Sequence, residues 1–207
     1  MTNYFRKALY LFVITACSIA SADSYVDFFR AVGVDNARTV SQLLAQGFDP
    51  NTMSESGQVP LYLAMRDGSP KVAEALLASP ALKIDAVNRA GETPLMMAAL
   101  QGRLEWTRKL VERGATVQRP GWTPVHYAAA GPNVEVLAFL LDKGGDINAV
   151  APNGNTPLMM AARYGAEDSV KLLLRRGANK ALLNDRNQSA ADMAESGDRS
   201  WLLPLLK

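Results

Sequence analysis

The chain is short of the residues that do chemistry. It has one cysteine, Cys17, and one histidine, His126. A lone cysteine closes no intrachain disulfide, and a lone histidine supplies neither a multi-histidine metal site nor a relay between two imidazoles. Also missing are a G-x-S-x-G elbow, a Walker-type phosphate loop and a G-x-G-x-x-G turn after a strand. Carboxylates are scattered, and nothing assembles a nucleophile, a base and an oxyanion donor. No apolar run reaches the ~20 residues of a typical membrane-spanning helix. Catalysis, metal binding, cofactor binding and membrane insertion of the folded part are therefore not expected.

What is present begins with an N-terminal leader pattern. Met1 to Lys7 is polar and carries Arg6 and Lys7, Ala8 to Ala16 is almost wholly apolar, and Ala20-Ser21-Ala22 is an A-x-A cleavage pattern. Residues 1–22 read as a signal peptide. Its removal takes two of the 22 basic residues and no acidic one, leaving 20 against 20 Asp and Glu. The formal charge of the remainder is zero, so a generic electrostatic case for nucleic acid disappears. Cys17 leaves with the leader, which suits an oxidising compartment such as the bacterial periplasm. A second reading stays open. Ile14-Thr15-Ala16-Cys17 resembles a lipobox, whose cysteine would be lipidated and would make the protein a lipoprotein.

From residue 23 onward a unit recurs, best formed between Asn153 and Asn184. Thr156 is placed as an N-cap with Pro157 at the first helical position, and Ala161 and Ala162 keep one face small. Gly165 permits a reversal. A second helix to Arg176 carries Val170, Leu173 and Leu174 on one stripe, and Gly177 offers a left-handed stop. The unit resembles the ankyrin repeat, with its T-P-L-H-x-A pattern. That resemblance implies an all-α solenoid of stacked helix-turn-helix units joined by short β-hairpin loops, forming a single domain over 23–207.

Altered copies of the unit begin at Val59-Pro60-Leu61-Tyr62, Thr93-Pro94-Leu95-Met96, Thr123-Pro124-Val125-His126 and, in a C-terminal cap, Ser189-Ala190-Ala191. A degenerate first unit forms the N-terminal cap. Ser24 and Asp27 resemble a capping box, and a second helix is expected from about Asn36 to Gln46. Successive motif spacings are 34, 30, 33 and 33 residues, against a family period of 33. Val59 lacks the capping hydroxyl, a loss of about 1 kcal/mol. The shortened spacing falls in Thr116 to Gly121, so the finger there is expected to be blunt, and Pro120 restricts strand pairing. Pro204 predicts a short or bent final helix.

In this family the motif histidine makes structural hydrogen bonds between units, which is the role expected of His126. Met96 and Met159 stand at the same motif position in other copies, with Met97 and Met160 beside them at an inner, normally packed position. Two methionines could hold copper(I), but no accompanying His or Cys completes such a site, and core packing is the better account.

Surface recognition remains. The resemblance implies contacts from hairpin tips, here Glu55, Ser56, Gln58, Arg89, Glu92, Arg119, Trp122, Asn153 and Asn155. It also implies contacts from the ends of first helices, here Arg66, Asp67, Leu100, Gln101, Arg163 and Tyr164, which line a concave face. Trp, Tyr and Arg tend to dominate binding energy. The leading expectation is an exported module that binds one partner protein, protecting, maturing or neutralising it. A secreted or lipid-anchored effector is the alternative, and an enzyme with an atypical site is disfavoured by the missing residues.

Overall fold

The computed structural model describes residues 23–207. The leader and Cys17 lie outside the described residues. Among the described residues every regular element is helical, and no helix is long and apolar enough to cross a membrane. The described residues fall into two compact units, one ending at Leu82 and the other spanning Lys83–Lys207.

The first unit holds α1 at 23–33, α2 at Ala37–Ala45, α3 at Pro60–Asp67 and α4 at Pro70–Leu77. Residue 23 is already helical, so Ser24 lies inside α1 rather than capping it. Asn36 does cap α2, its Oδ1 accepting from the Thr39 amide at 3.2 Å. Phe28, Val40, Leu61 and Leu76 are fully buried or nearly so, and Phe28 stacks on Phe48 with centroids 4.2 Å apart. Helix α2 packs on α4, and Asp35 joins them by accepting from the Val72 amide at 2.9 Å. Val59 caps α3 without any side-chain hydrogen bond, as its missing hydroxyl requires.

The second unit repeats a helix pair three times: α5 (Pro94–Leu100) with α6 (Leu104–Glu112), α7 (Pro124–Ala130) with α8 (Val134–Asp142), and α9 (Pro157–Tyr164) with α10 (Glu167–Arg175). It closes with α11 (Ala190–Glu195), a single 3-10 turn (Ser200–Leu202) and the short α12 (Leu203–Leu206) that Pro204 predicts. First helices stack in the order α5, α7, α9, α11. The contact is close because Ala98, Ala99, Ala128, Ala129, Ala161 and Ala162 bring only methyl groups to it. Leu110, Leu137, Leu140, Leu158 and Leu173 fill the space between first and second helices. Gly165 is extended at φ −82°, so its value is space rather than backbone freedom: a Cβ there would meet the Ala129 carbonyl oxygen at 2.0 Å. Gly177 does adopt the left-handed conformation, at φ +86°, and ends α10 where expected.

The caps follow the motif. Thr93 Oγ1 accepts from the Met96 amide and Thr156 Oγ1 from the Met159 amide, at 3.3 and 3.4 Å. In return each threonine amide points at the methionine sulfur, 3.4 Å away in both copies. A sulfur thus takes the place that His126 Nδ1 occupies in the α7–α8 pair.

The fingers contain turns but no strands among the described residues. Each well-formed tip is closed by an amide-to-carbonyl bond, Ser54 to Gln58, Asn88 to Glu92, Ala151 to Asn155 and Asn184 to Gln188, at 2.8–3.0 Å. A second, returning amide bond, as from Gly57 to the Ser54 carbonyl, tightens each turn, but the bonding stops at the tip and no ladder follows, which corrects the expected β-hairpins to hydrogen-bonded turns. In the finger after Gly114 that bond is absent among the described residues, yet Gly121 keeps φ +79°, matching +80° at Gly91 and +77° at Gly154. What the deletion removes is the Asp-x-Asn turn at the finger's base, seen where Asp146 Oδ1 accepts from the Asn148 amide at 2.8 Å. Thr116 instead gives its amide and hydroxyl to Asp85.

Candidate functional site

The C-terminal ends of first helices and the residue preceding α7 enclose an open apolar groove of about 350 Å³ in the second unit. Its walls are Leu100 from α5, Tyr127 and Ala130 from α7, Met160 and Tyr164 from α9, and Trp122 before the α7 cap. The local sequence explains why these side chains converge. Leu100 and Ala130 stand at the same place in successive copies, as do Tyr127 and Met160 one turn earlier, so the stacking of α5, α7 and α9 aligns them.

The aromatic walls are held from behind. Trp122 packs edge-on against His126 at 5.2 Å and against Tyr127 at 6.3 Å. Tyr127 donates its hydroxyl to Glu92 Oε1 at 2.7 Å, and Glu92 Oε2 accepts from Asn88 Nδ2 at 2.7 Å. His126 is fully buried. Its Nδ1 receives the Thr123 amide at 3.3 Å and the Thr123 hydroxyl at 2.9 Å, while Nε2 lies 3.1 Å from the Asn155 carbonyl oxygen. An amide can only donate and a carbonyl can only accept, so the proton sits on Nε2. Burial pushes the His126 pKa below the usual histidine value, outweighing the hydrogen bonds to the Asn155 and Ala149 backbone that favour the cation. The imidazole is a neutral tie between adjacent copies.

Beside the groove, with Tyr164 as the shared wall, lies a polar cavity of about 440 Å³ lined by Asn153, Arg163, Asp185, Arg186 and Gln188 among others. Arg163 Nη1 donates to Ser196 Oγ at 2.8 Å, and its guanidinium lies 5.3 Å from the Tyr164 ring centroid. Arg119 Nη1 donates to the Gly91 carbonyl at 3.1 Å. Among the described residues, neither of these arginines nor Arg186 has a carboxylate partner.

The residues singled out from the sequence are placed unevenly. Leu100, Trp122 and Tyr164 come together at the groove, and Tyr164 is 59% exposed. Arg163 and Asn153 adjoin it through the polar cavity. Arg89 and Gln101 are exposed, the latter with its Nε2 3.7 Å from Met97 Sδ. Glu92 is half-buried and committed to Tyr127 and Asn88. Asn155, expected at an exposed tip, is buried; its Oδ1 accepts from Asn184 Nδ2 at 2.8 Å and its carbonyl from His126, so it braces neighbouring fingers. In the first unit Glu55 and Ser56 are exposed and Gln58 is half-buried. Arg66 and Asp67 form a two-point ion pair at 2.6 and 2.9 Å, whose hydrogen bond raises the Arg66 pKa further. Sequence reasoning missed Tyr127, Ala130 and Met160 as groove residues. Met160 was expected to be packed like Met97, but Met97 is buried and Met160 is half-exposed.

The ankyrin-repeat profile (three copies) matches residues 28–120 and 116–184. Among curated proteins the chain is 26% identical over 201 residues to Protein glp-1 of Caenorhabditis elegans, covering 89% of this chain and 16% of that one. It is 29% identical over 164 residues to the B-cell lymphoma 3 protein homolog of Mus musculus, covering 76% and 37%. With the potassium channel AKT1 of Arabidopsis thaliana the figures are 33% over 204 residues, 83% and 24%. The chain therefore spans well under half the length of these relatives.

Proposed function

This chain belongs to the ankyrin-repeat family, and we propose that it is an interaction module whose second unit holds a partner protein at the groove between Trp122 and Tyr164. The observation that carries this reading is the groove itself. Two half-exposed aromatic residues, the more exposed Tyr164, a leucine and a methionine line an open surface that the described residues leave uncovered. Aromatic anchors in a preformed depression, with arginines at the rim, are the composition of a protein-binding hot spot. No catalytic step is part of the proposal. Asn153 and Arg163 form the polar surround, and Gln101, Arg119 and the exposed tip residues of the first unit are assigned no contact.

We also propose export, resting on the leader pattern over residues 1–22, with the bacterial periplasm as destination. The intact mass of the recovered protein tests it: loss of residues 1–22 supports export, and a lipidated Cys17 at the N-terminus would replace a soluble product with an anchored one. For the groove, the test is capture of partner from the matching cell fraction by the wild-type chain and by Trp122→Ala with Tyr164→Ala. The double variant should retain its helical far-UV signal and recover at least about tenfold less partner. Equal recovery by both proteins would move the site away from this face.

A further inference from the structure

The groove and the polar cavity share one wall, and the groups around that wall define a ligand chemistry. Resting on the groove reading above, we propose that the partner presents an acidic chain segment, one bulky apolar side chain entering between Trp122 and Tyr164 and a neighbouring carboxylate meeting Arg163 and Arg186.

The apolar half follows from the lining. The groove is lined by Leu100, Ala130, Met160 and three aromatic residues, and the Tyr127 hydroxyl is committed to Glu92. A polar group entering there would exchange water for a largely apolar lining, whereas an aliphatic or aromatic side chain gains by leaving water.

The acidic half follows from charge. Arg163 is held by a neutral acceptor, a serine hydroxyl, and keeps further N–H donors for use. Arg186 is exposed and without an ion pair among the described residues. The acids close by do not cancel this. Glu92 keeps its charge but is bonded to Tyr127 and Asn88 and does not line the polar cavity, where Asp185 is one carboxylate against two arginines. A carboxylate arriving there finds planar guanidinium groups suited to two-point contact. A basic segment would set its charge against the same arginines, which gives the site a basis for rejecting it. A phosphate group could meet the arginines too, but it has no use for the apolar groove beside them, so a peptide segment accounts for both halves.

The test is selection of short random peptides on the full chain, followed by fluorescence anisotropy of the enriched peptides. The expected sequences pair Phe, Trp, Leu or Met with a nearby Asp or Glu and are depleted of Lys and Arg. Their affinity should fall about tenfold with Arg186→Glu, less with Arg186→Lys, and should weaken as salt is raised. Both substitutions are at an exposed side chain, and far-UV circular dichroism checks that each variant keeps its helices. Peptides without acidic bias that still lose binding with Tyr164→Ala would overturn the acidic inference and leave the groove reading standing. Peptides indifferent to Tyr164→Ala, or no enrichment at all, would overturn both.

Discussion

At the scale of the residue, three motif positions solve one capping problem in two ways. His126 places Nδ1 in front of the Thr123 amide, and Met96 and Met159 place a sulfur in front of Thr93 and Thr156. Sulfur is the weaker acceptor, and methionine has nothing equivalent to the Nε2–H that reaches Asn155. His126→Met should therefore keep the cap and lose one neutral hydrogen bond, at a cost of about 1 kcal/mol in urea denaturation near neutral pH. The substitution also separates a pH effect. Because burial lowers the folded-state pKa of His126, folding favours the neutral ring. Its contribution is complete above the unfolded value of about 6.5 and is lost as pH falls from there through the folded value. The urea midpoint of the wild-type chain should drop across that window, and His126→Met should flatten the slope. Asp192 does not confuse the measurement. Its pKa is lowered by hydrogen bonds from Ser189, so its share is lost only below the ordinary carboxylate range. A wild-type midpoint that stays level from about pH 7.5 to about pH 5 would contradict this assignment.

At the scale of the element, the helix pair is set by how closely first helices approach. Gly165 marks the closest point, because a Cβ there would meet the Ala129 carbonyl oxygen at 2.0 Å and Ala161 Cα at 3.0 Å. Both are backbone atoms, so relief requires α9 to shift against α7. Gly165→Ala should cost about 3 kcal/mol. Gly177→Ala, at φ +86° but with nothing within 4 Å, should cost only about 1 kcal/mol for the strained backbone. Thermal denaturation of the two variants orders them, and equal losses would mean that the close approach at Gly165 is relieved by small local shifts rather than by moving α9 against α7. These positions also show what can be read without coordinates. The cap at Thr156, the stop at Gly177 and the uncapped Val59 were legible, because each depends on neighbours three or four residues away. The groove was legible only in part. Leu100, Trp122 and Tyr164 stood out by type and motif position, but Tyr127 and Met160 share a motif position with the buried Met97. Whether that position is covered depends on side chains from the adjacent pair, roughly a repeat away in sequence. Asn155 misled for the same reason, since its burial comes from the Asn184 finger and from His126.

At the scale of the whole molecule, the two compact units each carry their own buried core, with Phe28, Val40, Leu61 and Leu76 in one and Leu110, Leu137, Leu140 and Leu173 in the other. Repeat arrays gain stability from intrinsic terms and nearest-neighbour contacts, so damage in one unit need not be shared evenly along the chain. The sequence provides a convenient reporter of this. All three tryptophans, Trp106, Trp122 and Trp201, belong to the second unit, whereas helical circular dichroism reports both. Leu76 is fully buried in α4, and Leu76→Ala removes side-chain volume from the first core alone, at about 2–5 kcal/mol. In that variant the dichroism transition should begin at lower urea than the tryptophan transition. Leu137→Ala, equally buried in α8, should move the tryptophan transition to lower urea as well. If both probes moved together in Leu76→Ala, the units would be unfolding as one cooperative body. Separated transitions would bear directly on recognition, because the groove between Trp122 and Tyr164 lies wholly in the second unit and would keep its shape while the first unit opens.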